Sequence, residues 1–255
     1  MQIRAFATMF WRAVREARRI VVVVIAVPLV VPIFMLTVFS RVFTAIVEVP
    51  GFQGGESYVQ YIAPGAIMMA VMLSGTAAVS VSVERQSGFY DRMRIAPMGP
   101  RWSNLARRIA DSVKLLAFAF VLVIVSWLSG APIRDWALVL TLGTVLPALW
   151  GFAYGGIAFA ACLRTGRAEV ENALFPLFFP LLFMSSAFVP PILMPDWLAQ
   201  IARYNPLTFL SDAIRGAYMG RVDLEPLTLA LISVLLLTAL TQAFVVSAER
   251  SILRS

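Results

Sequence analysis

Residues 136–163 read WALVLTLGTVLPALWGFAYGGIAFAACL, a run of 28 positions without a charged side chain. About 20 apolar residues are enough for a helix to cross the ~30 Å hydrocarbon layer of a bilayer. Arg164 and Arg167 close the run, as expected where a helix leaves lipid. The solvent for this stretch is therefore a membrane. Composition extends that reading to the whole chain: 60% of its 255 residues are apolar and 14% charged. Soluble domains average about 45–50% and about 25%.

Working outward, comparable apolar runs cover 20–43, 58–83, 113–129, 172–189 and 226–248. With 136–163 they make six spans. Pro28 and Pro32 in the first run are tolerable, because neighbouring helices can satisfy the freed carbonyls. Ser74, Gly75, Ala77 and Ala78 in the second run suit a close helix–helix contact. The expectation is an all-α integral membrane protein, a single transmembrane domain over 1–255. Residues 1–19 place Ile3, Phe6, Phe10, Val14 and Ala17 on one face and Arg4, Arg12, Arg15 and Arg19 largely on the other. That pattern predicts an interfacial helix. It is preferred to a signal peptide, since the following apolar run is long and no small-residue cleavage site closes it.

Orientation follows from charge. With both termini in the cytoplasm, the inner segments hold 16 of the 21 basic residues and the outer ones five. The positive-inside rule selects that topology. The net charge of +7 is thus an orientation signal, not a nucleic-acid footprint.

Two polar segments interrupt the apolar pattern. Residues 84–112 are cytoplasmic in this topology, and Glu84 through Arg92 have helical spacing with Phe89 and Tyr90 available to plug a groove on a soluble partner. Residues 190–225 hold two apolar stretches too short to cross, punctuated by Asp196, Arg203, Asp212 and Arg215. They predict a pair of short amphipathic helices at the outer leaflet. Catalysis finds little support. There is no histidine, Cys162 is the only cysteine, and neither a metal site nor a disulfide within the chain can be assembled. No G-x-x-x-x-G-K-[ST] phosphate loop occurs, and the spans are expected to lack ionisable residues away from their ends. If the chain moves a solute, its energy enters from a partner.

Specific motifs then accumulate in order. They are Tyr61-Ile62-Ala63-Pro64-Gly65, Glu84 to Gly88, Asp91-Arg92-Met93-Arg94, Ala96-Pro97-Met98 and Ala110-Asp111. Later come Phe188-Val189-Pro190, Met194-Pro195-Asp196-Trp197-Leu198, Asn205-Pro206-Leu207-Thr208 and Ile214-Arg215. Over essentially its whole length the chain resembles the type-2 ABC exporter permeases, especially the daunorubicin-resistance-like group. Met93 and Ile95 depart from the phenylalanines usual there.

The resemblance implies a transport subunit, not an enzyme, in a bacterial plasma membrane. It would pair with a second permease copy or a sister chain, above two ATPase subunits that carry ATP and Mg. This chain itself needs no cofactor. Glu84, Arg85, Gly88, Phe89, Tyr90, Asp91, Arg92, Arg94 and Pro97 would couple to the ATPase. Pro190, Pro191, Asp196, Trp197, Arg203, Asn205, Pro206, Asp212 and Arg215 would form an outer gate in a re-entrant pair. Phe175, Phe178, Phe179, Phe183, Met184, Met68 and Met72 would line a path for an amphipathic or lipidic substrate, although packing is the commoner role of such residues. A membrane enzyme or assembly factor acting on lipids and an ion-coupled secondary transporter stand as alternatives.

Overall fold

The computed structural model describes residues 21–50, 52, 55–75, 77–88 and 99–254, and the interfacial helix expected over 1–19 lies outside the described residues. Val21–Phe34 forms α1, which continues through a π-helical turn, Met35–Phe39, into Ser40–Val42. Pro32 removes one ladder donor just upstream, and Thr37 Oγ1 donates to the Ile33 carbonyl at 2.8 Å. A π turn is a common outcome where the i→i−4 ladder is disturbed.

Tyr58–Leu73 forms α2, started by Ser57, whose side chain accepts from Gln60 N. The helix stops at Ser74, whose hydroxyl turns back onto the Ala70 carbonyl at 2.5 Å. Ala77–Gln86 then forms α3. Gly99–Leu128 forms α4, a continuous helix of 30 residues. It begins 14 residues before the span expected at 113, so much of the predicted cytoplasmic segment 84–112 is the first half of a helix. Trp136–Thr165 forms α5, capped by Asp135 and ended at Gly166, which takes the left-handed conformation (φ +69°) that glycine adopts without strain.

The run expected to span as 172–189 is a string of short pieces: α6 (Glu169–Leu174), a 3₁₀ turn (Phe175–Leu177) and α7 (Phe178–Phe183). Pro176 and Pro180 explain this. Each lacks an N–H and collides with the carbonyl four residues back, so no regular ladder crosses them. Asp196–Tyr204 and Pro206–Tyr218 form α8 and α9, and Leu224–Arg254 forms α10. No strand occurs among the described residues.

Among the described residues, four helical stretches are long and apolar enough to cross a membrane: Tyr58–Gln86, which comprises α2 and α3, Arg101–Leu128, Trp136–Thr165 and Leu224–Ile252. The first expected span corresponds to the continuous helical run from Val21 to Val42. The α2 helix is the hub. Ile62, Ile67 and Met68 are fully buried there, packed in one core with Leu122 of α4, Leu146 of α5 and Leu207, Ile214 and Tyr218 of α9. Close approach is built in at Gly156 of α5, where an added Cβ would fall 2.8 Å from both Thr241 Cβ and Arg108 Nη2. By contrast, α10 exposes a broad apolar face that includes Leu235, Leu236 and Leu240.

Candidate functional site

The bundle has two chemically different ends. Glu56, Pro132, Arg134 and Tyr218 meet at one: Gln60 Nε2 donates to Pro132 O at 3.0 Å, Arg134 N donates to Tyr218 O at 3.1 Å, and Arg134 pairs with Glu56. The ends of α3, α5 and α10 and the start of α4 gather at the other, which carries Arg85, Arg101, Arg107, Arg108, Arg164, Arg167 and Arg250.

At the first end, residues 184–188 form a loop clamped from α2 and α9. Tyr61 Oη donates to Ser186 O at 2.7 Å, and Tyr58 Oη donates to Phe188 O at 3.0 Å. Arg215 Nη2 donates to the same Ser186 carbonyl at 3.0 Å, and its guanidinium lies 3.9 Å from the centre of the Tyr61 ring. Arg215 also pairs with Asp212, which accepts from Ser186 Oγ. Asn205 is the corner piece. Its Oδ1 caps α9 by accepting from Leu207 N at 2.9 Å, while its Nδ2 donates to Leu181 O at 2.7 Å and Met184 O at 3.1 Å. Gly65 completes the fit, since an added Cβ there would fall 2.9 Å from Ala187 O.

An open cleft of about 670 Å³ lies beside this clamp. Tyr61, Ser186, Asp212, Arg215, Pro190 and Pro191 contribute to its walls. Arg215 is only 6% exposed, so the cleft is lined by a deeply held cation with its counter-ion beside it. Such a wall is rigid, polar and charge-balanced.

At the Arg-rich end a polar seam runs through the bundle. Glu84 of α3 pairs with Arg107 of α4 at 2.5 Å. Arg85 Nη1 donates to Leu163 O at 2.6 Å and Arg164 O at 2.8 Å, satisfying carbonyls that the end of α5 leaves without partners. Asn104 Nδ2 donates to Glu249 Oε1 at 2.8 Å. Arg108, 4% exposed, donates to Gln242 Oε1 at 2.6 Å and Phe152 O at 2.8 Å, with its guanidinium 4.1 Å from the Phe152 ring centre. Asp111 and Lys114 pair at 2.7 Å.

α4 thus carries charged residues close to the start of its apolar run. Counting back about 20 residues from Leu128 places Asp111 and Lys114 within the membrane-crossing length of α4. They are tolerated because they neutralise each other, and Arg108 because its donors and its ring contact are filled.

Glu171 of α6, outside the four spans, faces the seam. Burial, then repulsion by Asp111, pushes its carboxyl pKa up to about 7. The folded state therefore holds a proton that the unfolded state releases near pH 4.5, and stability falls as pH rises from about 4.5 to about 7. Glu171→Gln should lose less stability than the parent as pH rises over that window. Above pH 7 it should exceed the parent by up to ~3 kcal/mol, followed by tryptophan fluorescence in micelles. Parallel pH profiles for the two proteins would refute the assignment.

The sequence model of the ABC-2 type transporter family matches residues 4–219. The chain belongs to the ABC-2 type transporter family. Its relatives agree with that placement. The daunorubicin resistance ABC transporter permease of Streptomyces coeruleorubidus is 26% identical over 221 residues, 86% of this chain and 76% of that one. A probable doxorubicin resistance ABC transporter permease of Mycobacterium tuberculosis is 25% identical over 214 residues, 84% and 76% of the two chains. An inner membrane transport permease of Escherichia coli is 26% identical over 210 residues, 78% of each. No solved structure matches the permease.

The permease distributes the expected site residues unevenly. Of the coupling set, Glu84, Arg85 and Gly88 are described, while Phe89, Tyr90, Asp91, Arg92, Arg94 and Pro97 lie outside the described residues. Arg85 is half-buried beside the end of α5. Glu84 shares the inward face of α3 with Ala78 and Val81 and is 7% exposed. Of the outer set, Asn205, Asp212 and Arg215 converge on the 184–188 loop with Pro190 and Pro191 nearby, Pro206 starts α9, and Asp196, Trp197 and Arg203 face outward on α8. Of the path set, Met68 and Phe178 are core residues, Met72, Phe179 and Met184 are half-buried, and Phe183 is 48% exposed. The Phe175 side chain lies outside the described residues. Ring contacts do connect part of that set: Tyr154–Phe178 at 5.8 Å and Phe178–Phe179 at 6.4 Å are edge-on, and Phe179–Phe183 at 6.3 Å is stacked.

Sequence reading missed the seam. One signal for it exists: Gln242, Val245, Glu249 and Ile252 share a single face of α10, so the polar pair occupies positions whose neighbours are core.

Proposed function

We propose that this ABC transporter permease moves an amphipathic or lipidic compound, such as a drug, antibiotic or glycolipid, out of the cytoplasm or inner leaflet of a bacterial plasma membrane. The movement is alternating access, powered by ATP hydrolysed in separate ATPase subunits. Two such subunits sit below two permeases, the second being a copy or a sister chain. Both termini are cytoplasmic, and the outer clamp built on Asn205, Asp212 and Arg215 gates the exit.

One observation carries the reading: α3 ends and α4 begins at the same Arg-rich end, so 89–98 connect two helices there. The seam then ties those two helices to α5 and α10. A push on that connection meets helices already bonded together, which is what energy transfer from outside the membrane requires. Family membership supports the reading, and the permeases of drug-resistance transporters among the relatives favour an amphipathic substrate.

The test is purification of the tagged permease from its native membrane. An ATPase with a phosphate loop should accompany it, and cysteines introduced at 95–103 on a Cys162→Ala background should label only from the cytoplasm. A permease recovered without any ATPase, or labelling of 95–103 from outside, would contradict the proposal.

A further inference from the structure

A groove of about 610 Å³ runs between the end of α5 and the last turns of α10. Arg164, Gln242, Ser247, Arg250 and Ser251 line it above a floor of Ala243 and Val246. No carboxylate is among the lining residues. Glu249, the nearest acid in sequence, is 3% exposed and held on the other side of α10 by Asn104. Arg250 makes no ion pair among the described residues, and Arg164 Nη2 reaches across to Ser247 Oγ at 3.3 Å. Gln242 Oε1 accepts from Arg108, and its Nε2 N–H groups are donors. The polar groups here are thus cations, hydroxyls and one amide.

The same face of α10 changes character along its length. Leu236, Leu240 and Phe244 are 66%, 53% and 52% exposed, and Ser247, Arg250 and Ser251 follow at helical spacing. At 1.5 Å per residue, Leu240 and Arg250 are about 15 Å apart along the axis. An apolar ridge leading within two to three turns into an anion-seeking groove has the profile of one phospholipid: acyl chain, glycerol, phosphate. Basic pockets between spanning helices are known to favour such headgroups. Arginines that only mark the inner side of a membrane need no groove and no convergent hydroxyls.

We propose that this groove holds the phosphodiester headgroup of one anionic phospholipid of the inner leaflet, with a chain lying along Leu240 and Phe244. The proposal rests on the reading that the Arg-rich end faces the cytoplasm. Its test uses the permease alone, so it stands or falls separately from ATPase binding.

Permease equilibrated with mixed phosphatidylglycerol and phosphatidylcholine is analysed by native mass spectrometry. One phosphatidylglycerol should be retained in preference to phosphatidylcholine. Arg164→Gln with Arg250→Gln should weaken that preference about thirtyfold, since each arginine near an anionic lipid contributes roughly a fivefold factor. Arg167→Gln, exposed nearby but not lining the groove, should leave it unchanged, and inorganic phosphate in excess should not displace the lipid. Protection of buried Cys162 from thiol reagents reports that each variant is folded. Equal retention of the two lipids, an unaffected double variant, or displacement by inorganic phosphate would each overturn the proposal. So would a double variant that loses a protein partner at unchanged lipid retention.

Discussion

Replacing Asn205 with alanine is expected to destabilise the permease by about 3–7 kcal/mol. The figure sums three losses. Removing an N-cap acceptor costs about 1 kcal/mol. Leaving each of two carbonyls, Leu181 O and Met184 O, without its donor costs about 1–3 kcal/mol when buried. Asn205 is itself 5% exposed, so water does not readily replace it. Asn205→Asp separates the parts, for it keeps the cap acceptor but aims a carboxylate at two carbonyls. It should do no better than alanine. The readout is thermal unfolding in micelles at fixed pH, followed by dye labelling of Cys162, which is inaccessible in the folded chain. A loss below 1 kcal/mol, or full rescue by aspartate, would show that the loop is held by Tyr58, Tyr61 and Arg215 without it.

Phe89→Ala with Tyr90→Ala is expected to leave the permease inserted and folded, release the ATPase and abolish export. Glu84 and Arg85 bond to Arg107 and to the end of α5. They fix the end of α3 to α4 and α5, so that a partner gripping the residues beyond Gly88 moves several helices together. The apolar side chains beyond that point are the remaining anchors. A buried aromatic anchor in a small interface is worth about 2 kcal/mol or more, close to thirtyfold in affinity, and two of them decide whether a complex survives purification. Co-purification before and after the double change measures the effect. Normal export would return 89–94 to the role of a solvated loop.

Much of this architecture is legible in the sequence, for reasons that also show where legibility ends. Residues 136–163 and 226–248 declare their spans because charge-free length is a cumulative signal that no local detail erases. The 172–189 run fails as a regular span because two residues, Pro176 and Pro180, act through the backbone and leave hydropathy untouched. The 84–112 segment is half readable. Leu105, Ile109 and Val113 recur at helical spacing ahead of the third span, and from Gly99 the chain is a helix. That its Asn104 and Arg108 face inward depends on Glu249 and Gln242, 145 and 134 positions away, and one sequence does not display such pairs. The clamp is partly readable: Asn205-Pro206 announces a capped helix start. That Tyr58, Tyr61 and Arg215 converge on one loop is a fact of tertiary packing.

The account rests on energy entering from ATP through a partner at the Arg-rich end, and the interior charges of α4 give the ion-driven alternative something to stand on. Transport of a fluorescent amphipathic compound into inside-out proteoliposomes, containing the permease with its co-purifying ATPase, separates the two. Uptake should require external ATP, persist when ionophores collapse every ion gradient, and disappear with Phe89→Ala and Tyr90→Ala. Uptake driven by an imposed proton or sodium gradient without ATP would contradict it.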